Sequence, residues 1–260
     1  MKRKIALSLA LCMAFALLTG CFVSKGGEKT ELTVFAAASL TETLTALGEQ
    51  YMAENEDVSI VFNFDSSGSL KTQIEEGAVC DVFLSAGQAQ MNELEGIYAE
   101  DTRFDILENK VALAAPATAA KVSTFDELAA ALQSGDVLLA VGGADVPVGQ
   151  YTQKIFDYYG LDTKAMESLG CITYGSNVKE ITTQVRESVV DCGIVYATDA
   201  FSANLTVLDT ATAEMCGQVI YPAAALKTSA DPDAARAFLA FLRSDTADAV
   251  FESVGFTPIG

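Results

Sequence analysis

With 35 Asp and Glu against 16 Lys and Arg in 260 residues, the chain carries a formal net charge of −19, which repels a polyphosphate backbone and argues against nucleic acid as a partner. It contains no histidine, so no side chain has an unperturbed pKa near neutrality; this removes most triad hydrolases and most zinc enzymes. The length suffices for one large domain or two smaller ones with real cores.

The chain opens with Lys2, Arg3 and Lys4, then runs apolar over 5–18 and ends the stretch in Leu18-Thr19-Gly20-Cys21. This run is shorter than the ~20 residues of a membrane span and has the layout of a secretory signal. Leu-Thr-Gly-Cys resembles the lipobox of bacterial lipoproteins, and the resemblance implies that Cys21 is lipidated and becomes the mature N-terminus. The expectation is a lipoprotein signal peptide over 1–20 and a lipid-anchored tether over 21–30, with Ser24, Gly26 and Gly27 keeping the tether flexible. An extracytoplasmic location follows even if Cys21 is incidental.

Beyond the tether, short apolar runs rich in Val, Ile and Phe alternate with helical patterns. Strands are predicted over 32–37, 58–62 and 81–85, with helices over 40–54 and 69–76 between them; Leu40, Leu44, Leu47 and Tyr51 recur at helical spacing. This alternation predicts an α/β fold with mostly parallel sheets covered on both faces. Further strands are predicted over 111–115, 137–141, 172–174 and 193–196. Further helices are predicted over 124–132, 148–159, 178–189, 232–242 and 246–254, with Asp231 before Pro232 forming an N-cap and first-turn pair. Cys80, Cys171, Cys192 and Cys216 show no metal or redox spacing and read as buried free thiols.

The chemistry is concentrated where strands hand over to helices. FAAASL carries Ser39, read as the start of a capping box with Glu42; FDSSGSL places Ser67 and Gly68 before a helix; VPVGQ contains Gly149; GSNVKE places Asn177 as a cap. Ligands bind at the carboxyl ends of strands in open α/β sheets, and a helix start offers unpaired N–H groups and a positive dipole end that suit an anion. Taken singly, each junction also reads as an ordinary cap or turn.

Together the segments LTVFAAASL, FDSSGSLKTQIEEGAVCDVFLSAG, VPVGQY, SNVKE and CGIVYATDA resemble the molybdate-binding proteins of ABC transporters. The resemblance runs from about residue 32 to the C-terminal GFTPIG. It implies the two-lobed periplasmic-binding-protein fold of type II, with lobe 1 formed by 31–109 plus 217–260, lobe 2 by 110–216, and the ligand between them. Carried over motif by motif, it implies ligation by Ser39 and Ser67 from one lobe, by the backbone N–H groups of Val148 and Val178 and by the Tyr196 phenol from the other. It further implies a monomer with no cofactor, bound to the membrane through Cys21, that passes molybdate or tungstate to a permease. Molybdenum would be held only as its oxyanion.

Sulfate or thiosulfate is the alternative ligand within this class. An enzyme using Ser39 or Ser67 as nucleophile would need a base that neither serine has: neither lies in an SxxK or GxSxG pattern, and Lys71 follows Ser67 by four residues rather than three. A tethered sensor would need a separate receptor. Asp65, two residues before Ser67, would repel a dianion if it faced the cleft, so it is expected to point to solvent or cap a turn.

Overall fold

The computed structural model describes residues 29–117 and 120–259; the signal peptide, Cys21 and all of the tether except Lys29 and Thr30 lie outside the described residues. From the start, β1 (Thr30–Ala37) passes through a 3-10 turn at Ala38–Leu40 into α1 (Thr41–Glu54), followed by β2 (Val58–Asp65), α2 (Ser67–Glu75), β3 (Val82–Leu84) and α3 (Gln88–Glu93). β4 (Phe104–Asn109) runs almost directly into β5 (Val111–Ala115), which is followed by α4 (Phe125–Ser134), β6 (Leu139–Gly142) and α5 (Pro147–Tyr159). Next come α6 (Thr163–Leu169), β7 (Ile172–Gly175), α7 (Val178–Arg186), β8 (Cys192–Tyr196), α8 (Ala197–Ser202) and β9 (Thr206–Thr210). The chain closes with α9 (Ala213–Cys216), β10 (Val219–Ala225), α10 (Pro232–Phe241), α11 (Asp245–Ser253) and β11 (Thr257–Pro258).

Two sheets form among these residues, in the orders β11-β4-β10-β3-β1-β2 and β7-β6-β8-β5-β9. The sets β3-β1-β2 and β7-β6-β8 are parallel, and the other strands attach antiparallel. Both sheets are therefore mixed, where the sequence reading expected mostly parallel ones. Only Lys110 separates β4 from β5, and β10 brings the chain back, so these connecting strands have no crossover helix to restore a parallel direction.

Local chemistry fixes the helix starts. Thr124 Oγ1 accepts from the Glu127 N–H at 3.2 Å, Asn177 Oδ1 from the Glu180 N–H at 3.1 Å and Asp231 Oδ1 from the Ala234 N–H at 3.0 Å. Gly160, at φ 63°, ends α5 in the left-handed conformation that glycine adopts without strain. Leu40, Leu44 and Leu47 are fully buried along the inner face of α1, with Tyr51 nearly so, and the four cysteines are buried and free.

Side chains tie one sheet's layer to the other. Asn177 Nδ2 donates to Asp65 Oδ1 at 3.2 Å, Gln90 Nε2 to Gln150 Oε1 at 3.1 Å, and Lys179 Nζ to both Glu42 oxygens at 2.9 and 2.7 Å. Lys179 Nζ also lies 3.0 Å from Oδ1 of the fully buried Asp199, although the pair lacks hydrogen-bond geometry and neither Asp199 oxygen has a hydrogen-bond partner among the described residues. Burial pushes the Asp199 carboxyl up to about 6 against the pull of Lys179. Burial also disfavours the Lys179 ammonium, but Asp199 and Glu42 outweigh it and leave its pKa raised.

Two outcomes are expected. A methyl group on Gly149 would run into the Gly142 and Gly143 carbonyl oxygens, which belong to backbone that cannot swing aside. Gly149→Ala should therefore lower stability by about 2–4 kcal/mol in a denaturant melt. Because the folded pKa of Asp199 lies above its unfolded value, protonation favours the folded state. The contribution of Asp199 is then fully present below about pH 4 and is lost as pH rises through about 6. Melting midpoints measured across this window should show the wild type falling relative to Asp199→Asn as pH rises; parallel curves would contradict the assignment.

Candidate functional site

The carboxyl ends of β1, β2, β3, β6, β7 and β8 converge on one small cavity, bounded by Ala37, Ala38 and Ser39, by Ser66, Ser67 and Ala86, and by Val146, Pro147, Val148, Val178 and Tyr196. All five residues singled out in the sequence, Ser39, Ser67, Val148, Val178 and Tyr196, are on its wall. Its volume is about 10 Å³, room for little more than one water molecule and far below the ~300–1,000 Å³ typical of sites for drug-sized ligands. No charged side chain lines it.

Ser67, Val148 and Val178 present backbone donors for a definable reason. Ser67 is the first residue of α2 and Val178 the first of α7, so their backbone N–H groups have no carbonyl one turn back. Val148 is the second residue of α5, behind Pro147, which has no N–H to offer. The caps of α2 and α7 spend their side chains elsewhere: Ser66 Oγ accepts from the Ser69 N–H and Asn177 Oδ1 from the Glu180 N–H. The first N–H groups of both helices are left to the cavity.

The serine hydroxyls are held by their oxygens. Ser67 Oγ accepts from the Ala86 N–H at 2.9 Å, which leaves the Ser67 proton to be donated elsewhere. Ser39 does not cap its helix, contrary to the sequence reading. Leu40 is the N-cap of α1 and no side-chain cap bond forms; the Ser39 hydroxyl instead meets the Tyr221 phenol at 3.0 Å. A 3-10 turn between β1 and α1 carries Ser39 out of capping register, which releases its side chain to the cavity. The Tyr196 hydroxyl donates to the Ala86 carbonyl at 3.3 Å. Burial holds both phenols well above the usual tyrosine pKa, so each keeps its proton.

The charged neighbours are turned away. Asp65 is not on the cavity wall; its Oδ1 accepts from the Ser66 N–H at 2.7 Å and from the Asn177 amide, so it caps the turn into α2. Lys179, next to Val178, has its ammonium against Glu42 and Asp199. Sequence reasoning missed Ala86, Tyr221 and Asn109. Tyr221 and Asn109 lie 182 and 70 residues from Ser39 in the chain, and only the antiparallel pairing of β10 with β4 brings them beneath it.

Comparison with known proteins agrees with this architecture. Residues 32–257 match the family described as bacterial extracellular solute-binding protein. The molybdate-binding protein ModA of Haemophilus influenzae is 34% identical over 87% of this chain and 90% of its own length. A Bacillus subtilis protein, YvgL, provisionally named an ABC transporter substrate-binding lipoprotein, is 31% identical over 99% of both chains. Among solved structures, the periplasmic molybdate-binding protein of Azotobacter vinelandii superposes with a TM-score of 0.77 at 20% identity, covering 88% of this chain and all of that one. The fold is that of the periplasmic binding proteins, and the chain belongs to the bacterial extracellular solute-binding proteins, in the same group as the molybdate-binding relatives.

Proposed function

We propose that the protein is a lipid-anchored, extracytoplasmic receptor that captures molybdate or tungstate between its lobes and delivers it to an ABC transporter permease. The observation that carries this reading is the small cavity with an uncharged wall, onto which two serine hydroxyls and the starts of three helices converge. Each hydrogen bond to an ionised group contributes ~1.5–3 kcal/mol net, so five such donors suffice for tight capture. Neutral donors also avoid burying a counter-ion, whose desolvation offsets much of its attraction. The cavity is too small for a sugar or peptide, and its donors suit a small compact anion.

Binding without turnover fits the surroundings of the serines. Ser39 Oγ meets a phenol and Ser67 Oγ a backbone N–H, and neither neighbour is a base. Sulfate matches molybdate in charge and shape but has shorter bonds, so the two are separated by how closely the donors meet the oxygens. Delivery to a permease and attachment through Cys21 follow from the resemblance to the ABC-transporter relatives and the Leu-Thr-Gly-Cys motif.

A thermal melt of the domain with molybdate, tungstate, sulfate and phosphate tests the reading. Saturation at about 1,000 times the dissociation constant adds ~4 kcal/mol, a rise on the order of ten degrees for a domain of this size. Molybdate and tungstate should give that rise, and no shift with either removes the proposal. By calorimetry, Ser39→Ala and Ser67→Ala should each weaken molybdate binding by ~1–3 kcal/mol with little change in the ligand-free melt. Unchanged affinity in both would place the ligand elsewhere.

A further inference from the structure

Beneath the cavity runs a chain of hydrogen bonds whose direction is fixed at its far end. It starts at the Lys110 backbone N–H, a group that can only donate, which lies 2.8 Å from Asn109 Oδ1. This fixes the Asn109 amide, because turning it over would set its NH2 group against another donor. Asn109 Nδ2 then faces the Thr198 hydroxyl at 2.9 Å and the Tyr221 phenol oxygen at 3.2 Å, and donates to both. Tyr221 is fully buried, and its oxygen, taking a proton from Asn109, has its own proton left to give. Ser39 Oγ is 3.0 Å away. The neighbouring Tyr196, its ring edge-on to Tyr221 with centroids 5.7 Å apart, directs its own hydroxyl at the Ala86 carbonyl.

We infer that Tyr221 and Asn109 are positioning residues that lock the Ser39 hydroxyl as a donor toward the cavity, and so set the ligand-charge specificity of the site. The proposal rests on the oxyanion reading given above and deepens it. With one lone pair taken by the Tyr221 proton, Ser39 directs its own proton inward. Ser67 is fixed in the same sense by the Ala86 N–H. Both serines therefore turn their protons toward the cavity, which suits an anion whose four oxygens all accept. A protonated anion such as hydrogen phosphate would set its O–H against donors rather than free acceptors, leaving a buried donor poorly paired.

Asn109 is also the last residue of β4, two positions before the chain enters the second lobe at β5, and Thr198, in α8, belongs to that lobe. The amide that sets the relay is thus the group that joins the lobes at their crossover. The orientation of Ser39 and the approach of the lobes share one side chain.

The reverse polarity, with Ser39 donating to Tyr221, predicts the opposite behaviour: Ser39 would show the ligand a lone pair, and removing the phenol hydroxyl would release its proton. The sign of one substitution separates the two. Tyr221→Phe, titrated calorimetrically with molybdate, should weaken binding about 3- to 10-fold and narrow the preference for molybdate over hydrogen phosphate, because an unheld Ser39 can turn to accept. In a Ser39→Ala background the same change should cost less than about twofold, since it acts through the serine. A merely structural phenol would lower affinity for both anions alike and by the same factor in either background. If Tyr221→Phe melts too low to titrate, Asn109→Ala reads the same coupling, with smaller weakening in the same direction. Tighter or unchanged molybdate binding by Tyr221→Phe, or equal losses in both backgrounds, overturns the inference while leaving the oxyanion reading in place. Failure of the unsubstituted protein to bind either molybdate or tungstate overturns both.

Discussion

A dianion leaving water gives up a complete shell of hydrogen-bond donors, and the site that receives it must replace that shell without trapping the ion. In the function proposed for this protein, the replacement comes from groups whose unpaired state is dictated by geometry: the first N–H groups of helices and hydroxyls whose oxygens are already engaged. Helix starts at α2, α5 and α7 leave N–H groups that no carbonyl within the helix can reach, and their dipoles add positive potential over a few ångströms. At that range these local dipoles outweigh a diffuse surface charge, which is how a chain with formal charge −19 can present an anion site. Two neighbouring carboxylates are engaged by their own bonds, Asp65 to Ser66 and Asn177, and Glu42 to Lys179.

The rest of the fold serves to bring these tips together and hold them there. Parallel β-α-β units place all the junctions at the carboxyl ends of their strands, and the two sheets turn those ends toward one another. Close approach depends on small residues. A methyl on Gly68 would collide with the Asp145 carbonyl oxygen across the cleft, and one on Gly149 with the loop after β6. Bonds around the rim, from Asn177 to Asp65 and from Gln90 to Gln150, shield the cavity from water and so strengthen each donor within it.

Much of this is legible in the sequence, for physical reasons. The junction residues announce themselves because caps and turns use few residue types, and Asn177, Thr124 and Asp231 cap where local chemistry places them. Ser39 was misjudged as a cap because a serine three residues before a glutamate normally is one; the competing partner, Tyr221, is invisible to any local window. β10 escaped notice because Pro222 interrupts it, and proline argues against a strand interior. The structure accommodates Pro222 at a bulge, where the register with β4 shifts between Tyr221 and Pro222. β4, FDILEN, places charged residues at two of its six positions and gave no apolar run to read. These two strands carry Asn109 and Tyr221, so the wall of the site could be read from sequence and the support beneath it could not.

The central claim is that uncharged donors alone surround the bound oxyanion. Crystals grown with tungstate test it directly, because the anomalous scattering of tungsten locates the ion without reference to the protein. The account predicts one strong peak between Ser39, Ser67, Val148, Val178 and Tyr196, with no lysine or arginine nitrogen within hydrogen-bond reach of its oxygens. A peak outside that cavity, or one held by a cationic side chain, would contradict it.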